Sequence, residues 1–241
     1  MKYPVVGVGL AALAAHAAPA TTAFTPGRRA VLPALAGAGP AGHVALTFDD
    51  GPDRTSTPQF LRLLAEHDVR ATFFLLGAML DRDPGLGLDI VAAGHEVAVH
   101  GWAHRCLLWR PPRATGRDIA RARDRIAEVT GAAPRWYRPP YGVLTGGALL
   151  ACQRLDLTPK LWTAWGRDWE AAATVPSIVR TATRTLSGGG TLLLHDSDCT
   201  SAPGSWRRTL AALPRLIDWA RERDLTLGPL RDHPAARRRP G

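Results

Sequence analysis

Five short stretches bring together side chains able to do acid-base or metal chemistry. Thr47-Phe48-Asp49-Asp50-Gly51-Pro52 places two adjacent carboxylates at the end of an apolar run. Neighbours on a strand point to opposite faces, but a turn made by Gly and Pro lets both carboxylates face one mouth. A plain Asp-Gly turn is the competing reading. His100-Gly101-Trp102-Ala103-His104 sets two imidazoles at i and i+4. On a helical turn that spacing presents both rings on one face, as a divalent metal needs; two histidines in an exposed loop are the alternative. Two His and one Asp would leave positions open for water and substrate, which is the arrangement of catalytic rather than structural sites.

The other stretches supply charge and protons. In Arg138-Pro139-Pro140-Tyr141-Gly142, two prolines stiffen the backbone, so the guanidinium and the Tyr141 amide are expected at fixed positions. A rigid loop with a surface arginine would look the same. Leu193-Leu194-His195-Asp196 ends an apolar run with a histidine able to protonate a leaving amine, unless it is a core histidine at a strand end. Asp168, in Asp168-Trp169, is placed to orient that histidine.

Alternating elements must hold these stretches. Val44 to Phe48, Ala71 to Leu76, Glu96 to His100, Trp136-Tyr137, Thr158 to Thr163, Thr191 to Leu194 and a run near Leu225 read as strands. Between them, helices are predicted from about Thr57, over Leu88 to Ala93, Arg117 to Val129, Gly147 to Leu155, Pro176 to Leu186 and Trp206 to Arg223. The helix from Arg117 should stop at Thr130-Gly131, and the one from Trp206 should kink at Pro214. About seven strand-helix units in series predict one α/β domain, a closed or nearly closed (β/α) barrel of parallel strands. The strand C-termini then converge on one mouth and turn scattered stretches into one site. In that numbering His100 follows the third strand, Arg138 the fourth, Asp168 the fifth, and His195 ends the sixth.

T-F-D-D-G, H-x-x-x-H, R-P-P-Y-G, D-W and L-L-H-D, in this order from Thr47 to Asp196, resemble the motifs of the polysaccharide deacetylase family, carbohydrate esterase family 4. The resemblance implies a deformed (β/α) barrel and hydrolysis of N-acetyl or O-acetyl groups on sugars. It assigns Asp49 as general base, Asp50, His100 and His104 as ligands of one divalent metal, commonly zinc and sometimes cobalt or nickel, and Arg138 as the group holding the base. His195 would be the general acid, Asp168 its tuning partner, and the Tyr141 amide part of the oxyanion site. Two departures stand out. The family usually has Ser or Thr after the first metal histidine, where this chain has Gly101, and an acid three residues before Asp168, where it has Trp165. Trp102, Trp162, Trp165 and Trp169 are therefore candidates to stack on sugar faces, although at least half are expected to pack into the barrel wall. A related metal amidase or deformylase acting on a small non-sugar amide, and a non-catalytic carbohydrate-binding relic, remain as alternatives.

Composition bounds the rest. The chain has 241 residues, 46% hydrophobic and 21% charged, which suits one large domain. Its formal charge of +9 comes almost wholly from arginines spread along the chain, often beside acids, and does not read as a nucleic-acid site. Three cysteines exclude a disulfide framework, and a Cys106–Cys199 pairing is weaker than idle thiols. Pro4 to Phe24 is apolar and Ala-rich, with Ala-x-Ala patterns around Ala15 to Ala20, as in a signal peptide or weak membrane anchor. Residues 1–41 are thus expected to be leader and linker, 42–229 the barrel, and 230–241 a basic disordered tail. The expected product is an exported monomer acting on an acetylated carbohydrate, with membrane association only through the leader.

Overall fold

The computed structural model describes residues 11, 13–23 and 27–233. Eight strands run parallel: β1 (His43–Asp49), β2 (Thr72–Leu75), β3 (Glu96–Val99), β4 (Trp136–Tyr137), β5 (Thr158–Pro159), β6 (Ala164–Trp165), β7 (Thr191–His195) and β8 (Thr226–Gly228). Seven follow the order β5-β4-β3-β2-β1-β7-β6, and β8 adds to β1. Ala45 is in register with Thr191 on one edge and Gly228 on the other, so β8 prolongs the edge that β2 occupies further along β1. No β5–β6 ladder closes the ring among the described residues. The result is a curled, deformed (β/α) barrel in a single domain, with helices packed outside.

Side-chain alternation gives the sheet two apolar layers. Val44, Leu46, Phe48, Phe73, Leu75, Val97 and Val99 join the large outer core beneath the helices. Ala45, Phe74, Ala98 and Trp136 form a smaller cluster on the other face, inside the curl. With a period of two, Thr47 and Asp49 follow Ala45, His100 follows Ala98, and Arg138 follows Trp136 onto that inner face. The strand pattern thereby aims the chemistry inward while Phe48 packs outward, edge-to-face on Phe60 and stacked on Phe73, centroids 5.2 and 5.1 Å apart.

The helices are α1 (Thr57–Glu66), α2 (Gly77–Arg82), α3 (Pro84–Ala92), α4 (Pro112–Thr130), α5 (Gly146–Arg154), α6 (Val175–Thr185) and α7 (Ser205–Arg221). α4 starts five positions before the predicted Arg117, because Pro112 is preset for the first helical turn. It buries Ile119, Ala122 and Ile126, and ends as expected at Gly131, φ +66. α3 likewise starts early, at Pro84, and α2 carries no strong periodicity and was not predicted. α7 continues through Pro214.

The predicted strand from Thr158 to Thr163 splits in two, because its backbone changes partner. Lys160 N still donates to Tyr137 O of β4, Leu161 N turns to Leu35 O, and Thr163 N donates to Thr191 O at β7. Asp168 therefore follows the sixth strand, and His195 ends the seventh. Residues expected to be linker fill this break. Helical turns at Arg28–Val31 and Pro33–Ala36 lie against it, with Ala36 1% exposed and Leu35 against the core. Lys160 Nζ donates to Ala34 O, Thr191 Oγ1 to Gly37 O and Gly39 N to Gly189 O, so the segment spans from the β5 exit to the β7 entry. Leu230 and His233, expected in the tail, are buried. Arg237 to Arg239, and Pro4 to Leu10, Ala12 and Phe24 of the apolar leader, lie outside the described residues. No helix among the described residues is long and apolar enough to cross a membrane. All three cysteines are free, so Cys106 and Cys199 are not joined.

Candidate active site

The strand ends meet in a pocket of about 210 Å³ lined by Asp49, Asp50, His100, His104, Tyr141 and His195 among others. Asp49 and Asp50 both face this pocket because Asp50 adopts φ +79 at the end of β1, a conformation that Asp tolerates better than most residues. Asp49 Oδ1 accepts from Arg138 Nη1 at 2.6 Å. Asp50 Oδ1 lies 3.4 Å from His100 Nε2 and 3.6 Å from His104 Nε2. The one predicted turn thus yields two carboxylates in different company.

The helical turn expected at His100 to His104 is absent. The stretch is a loop in which Gly101 takes φ +95, and the two rings still come within 5.2 Å, centroid to centroid. His100 Nδ1 sits 2.8 Å from Arg138 O, which fixes the proton on that nitrogen and leaves Nε2 its lone pair. The ligand atoms of Asp50, His100 and His104 all lie within 4.8 Å of one another, and Asp50 Oδ1 is buried without a hydrogen-bond donor. An orphaned buried carboxylate oxygen facing two imidazole nitrogens is a donor set that fits a divalent cation.

Electrostatics agree with that fit. Burial would raise the Asp50 pKa, yet the neighbouring His100, His195 and His104 pull it well below the usual carboxylate range. Burial disfavours the His100 cation, but Asp49 and Asp50 outweigh it and raise its pKa. His104 is held down to about 4, first by burial and then by His100. The centre is an anion with one neutral imidazole and one that gathers a proton, a place where a metal dication competes with H⁺.

Arg138 is fully buried. Its Nη1 also donates to Thr47 Oγ1 at 2.9 Å, Nε to Lys160 O at 3.2 Å and Nη2 to Leu161 O at 3.0 Å. The break between β5 and β6 thus supplies the carbonyls that orient the guanidinium. Across the pocket, Asp168 Oδ2 accepts from His195 N at 2.8 Å and Oδ1 lies 3.1 Å from His195 Nδ1. Burial opposes the imidazolium, but Asp168 outweighs it, with help from Asp50 and Asp49, and the His195 pKa is pushed up to about 9. Tyr141, at φ +60, lies on the pocket wall with its ring 4.4 Å from that of His104.

Of the four tryptophans, Trp162, Trp165 and Trp169 line the pocket in a row, with centroids 5.8 and 5.3 Å apart, and Trp169 reaches His195 at 5.4 Å. Trp102 packs away from it, against Gly77, with Arg121 over its ring. Sequence reasoning missed three residues. Thr200 Oγ1 donates to Asp50 Oδ2, Thr209 Oγ1 to Asp168 Oδ2 at 2.8 Å, and Asp118 Oδ2 accepts from Trp102 N. Lone hydroxyls and one acid among many on a helix give no pattern to find them by.

A parallel barrel whose strand ends gather a candidate metal triad of Asp50, His100 and His104, an Asp-Arg pair and an Asp-His pair has the layout of a hydrolase active site. The polysaccharide deacetylase family matches residues 36–159, and this chain belongs to it. It is 37% identical over 183 residues to a chitooligosaccharide deacetylase of Sinorhizobium fredii, across 73% of this chain and 85% of that one. The crystal structure of a peptidoglycan N-acetylglucosamine deacetylase superposes with a TM-score of 0.78 at 27% identity, covering 89% of this chain and all of the other. A family 4 carbohydrate esterase from Streptomyces lividans, in complex with acetate, gives 0.69 at 32% identity over 78% of this chain and 92% of its own.

Proposed function

We propose that the protein is a metal-dependent hydrolase that removes N-acetyl (or O-acetyl) groups from a glycan containing N-acetylglucosamine, of the chitin-like or peptidoglycan kind. The observation that carries this reading is the unpartnered Asp50 Oδ1 between His100 and His104, with Asp49–Arg138 and His195–Asp168 on two sides of the same pocket. Asp50, His100 and His104 would hold zinc, or cobalt or nickel in its place. A divalent ion there supplies Lewis acidity, polarising the acetyl carbonyl and acidifying water.

Asp49, held by Arg138, takes the proton of the attacking water. The Tyr141 amide is assigned to the developing oxyanion. His195, whose Nδ1 faces Asp168, gives its Nε2 proton to the departing amine. Asp168 keeps that imidazole charged at neutral pH. The tryptophan row gives a sugar apolar faces beside the acid, which supports a carbohydrate over a small non-sugar amide. A retained base, acid and metal set argues against a relic.

Relatives named for peptidoglycan, a cell-wall polymer, also support export, with the apolar leader as signal or anchor. The test is acetate release by purified protein, with added zinc, cobalt or nickel, from chitooligosaccharides, peptidoglycan and small acetamides. Release from a glycan that stops on chelation is expected. Release from small acetamides alone would replace the carbohydrate reading, and no release from any would sink the hydrolase.

A further inference from the structure

The loop from His100 to Arg110 leaves β3, presents both imidazoles and returns to α4. Its second residue, Gly101, holds φ +95, and a Cβ there would stand 3.0 Å from Asp118 Oδ2. Serine or threonine at position 101 would therefore strain the backbone and crowd that carboxylate. Asp118 Oδ2 accepts from Trp102 N at 2.8 Å, and Oδ1 accepts from Arg110 Nη1 at 2.8 Å. One carboxylate on α4 thus ties the loop beside its first histidine and again at its far end. The Asp118 side chain is 8% exposed, so water screens these charge-assisted bonds little. Other anchors lie close to the first histidine: His100 N donates to Leu75 O, His100 Nδ1 bonds Arg138 O, Gly77 N donates to Gly101 O and Ala78 N to Trp102 O.

We propose that Asp118 is a positioning residue for the metal centre, bracing the loop from α4 at the place where Gly101 offers no side chain of its own. The inference rests on Asp50, His100 and His104 being that centre. His104 Nδ1 has no hydrogen-bond partner, so its ring is aimed by the course of the loop and by contact with Tyr141 rather than by a bond of its own. Without the Asp118 ties, the His104 ring samples more positions relative to His100 before binding, and the cation must order it. Loss of such outer contacts typically weakens metal binding about 10–100-fold.

The experiment is a chelator-competition titration of metal-free protein with zinc and with cobalt, alongside thermal melts of the same samples. Asp118→Ala should weaken both metals about 10–100-fold while the metal-free protein stays folded. Asp118→Asn keeps an acceptor for Trp102 N but faces Arg110 with an amide, and Arg110→Ala removes the far tie alone; each should show a smaller loss. Arg125→Ala breaks an ion pair elsewhere on α4, to Asp81, and should bind like wild type. Should Asp118→Ala fail to fold, Asp118→Asn and Arg110→Ala decide the matter. Binding within about threefold of wild type in every folded Asp118 and Arg110 variant, or an equal loss in Arg125→Ala, overturns the proposal. His100→Ala serves as reference: if it keeps its metal, the centre itself is misplaced, whereas its loss beside an unaffected Asp118→Ala removes only the brace.

Discussion

Arg138 Nη1 donates to Asp49 Oδ1 at 2.6 Å, and both groups are buried. Asp49 Oδ2 also lies 3.8 Å from His100 Nε2, whereas Asp50 Oδ1 stands nearer, at 3.4 Å. Two neighbouring carboxylates of the same type thus divide their work by partner: one is spoken for by a guanidinium, the other by imidazoles. The positive φ of Asp50 makes the division possible, since an extended residue there would send its carboxylate away from Asp49.

That division predicts different failures for the two aspartates. Asp49→Asn should keep its metal and lose about 10²–10⁴-fold in kcat, because an amide cannot take a proton from water. Asp50→Asn should bind metal more weakly, and excess metal should restore part of its activity. Metal analysis and kcat against added zinc check both. Rescue of Asp49→Asn by metal, with Asp50→Asn fully loaded and dead, would exchange the two roles.

The tryptophan row predicts a binding effect. Trp165 is 36% exposed and stands between Trp162 and Trp169, so it is free to meet a ligand on one face. Trp165→Ala should raise KM for an oligosaccharide about 2–12-fold, the worth of one aromatic contact, with kcat little changed. The same KM change for a single acetylated sugar and for a longer chain would show that the ring does not serve an extended glycan.

Much of this was readable in the sequence. The near-continuous apolar run of β1 and the period of two place Asp49, His100 and Arg138 on one inner face. What could not be read depends on backbone groups brought from afar. Arg138 is oriented by the carbonyls of Lys160 and Leu161, and nothing in Thr158 to Thr163 signals that the run changes partner midway. The segment from Arg28 to Gly39 reads as linker because its Ala, Gly and Pro residues have no periodicity. It docks instead through backbone groups and two cations, its own Arg28 reaching Trp162 O and the distant Lys160 reaching Ala34 O. The i, i+4 histidines do meet, but through a left-handed glycine rather than a helix.

That docked segment carries its own prediction. Arg28 Nη2 donates to Trp162 O at 2.6 Å, Leu161 N to Leu35 O at 2.8 Å and Lys160 Nζ to Ala34 O at 2.6 Å. Deleting residues 1–39 would expose Ala36's site and leave these buried groups unpaired, at about 1–3 kcal/mol each. The melting temperature should fall by on the order of 10 °C, and kcat should fall with it as the carbonyls that orient Arg138 loosen. Deleting residues 1–26 alone should change neither by much. Equal melting curves for both deletions would mean that the segment does not close the barrel.

The last prediction concerns the pH response of His195. Its folded pKa, about 9, stands above its ordinary value of 6.5, because Asp168, aided by Asp50 and Asp49, overcomes burial. A raised pKa means that the imidazolium stabilises the fold below about pH 6.5, and that this contribution is lost as pH rises through about 9. In metal-free protein, the His195 ring signals in NMR should therefore titrate near 9, and Asp168→Asn should lower that midpoint. Loading a dication beside Asp50 offsets part of the anionic field, so the midpoint should fall when metal is added. The alkaline limb of kcat for an N-acetyl substrate should follow the metal-loaded value, since only the protonated ring can release an amine. An activated acetyl ester, whose leaving group needs no proton, should lack that limb. If His195 titrates near 6.5 in both metal-free wild type and Asp168→Asn, Asp168 does not hold the proton and the assignment of His195 as acid loses its physical basis.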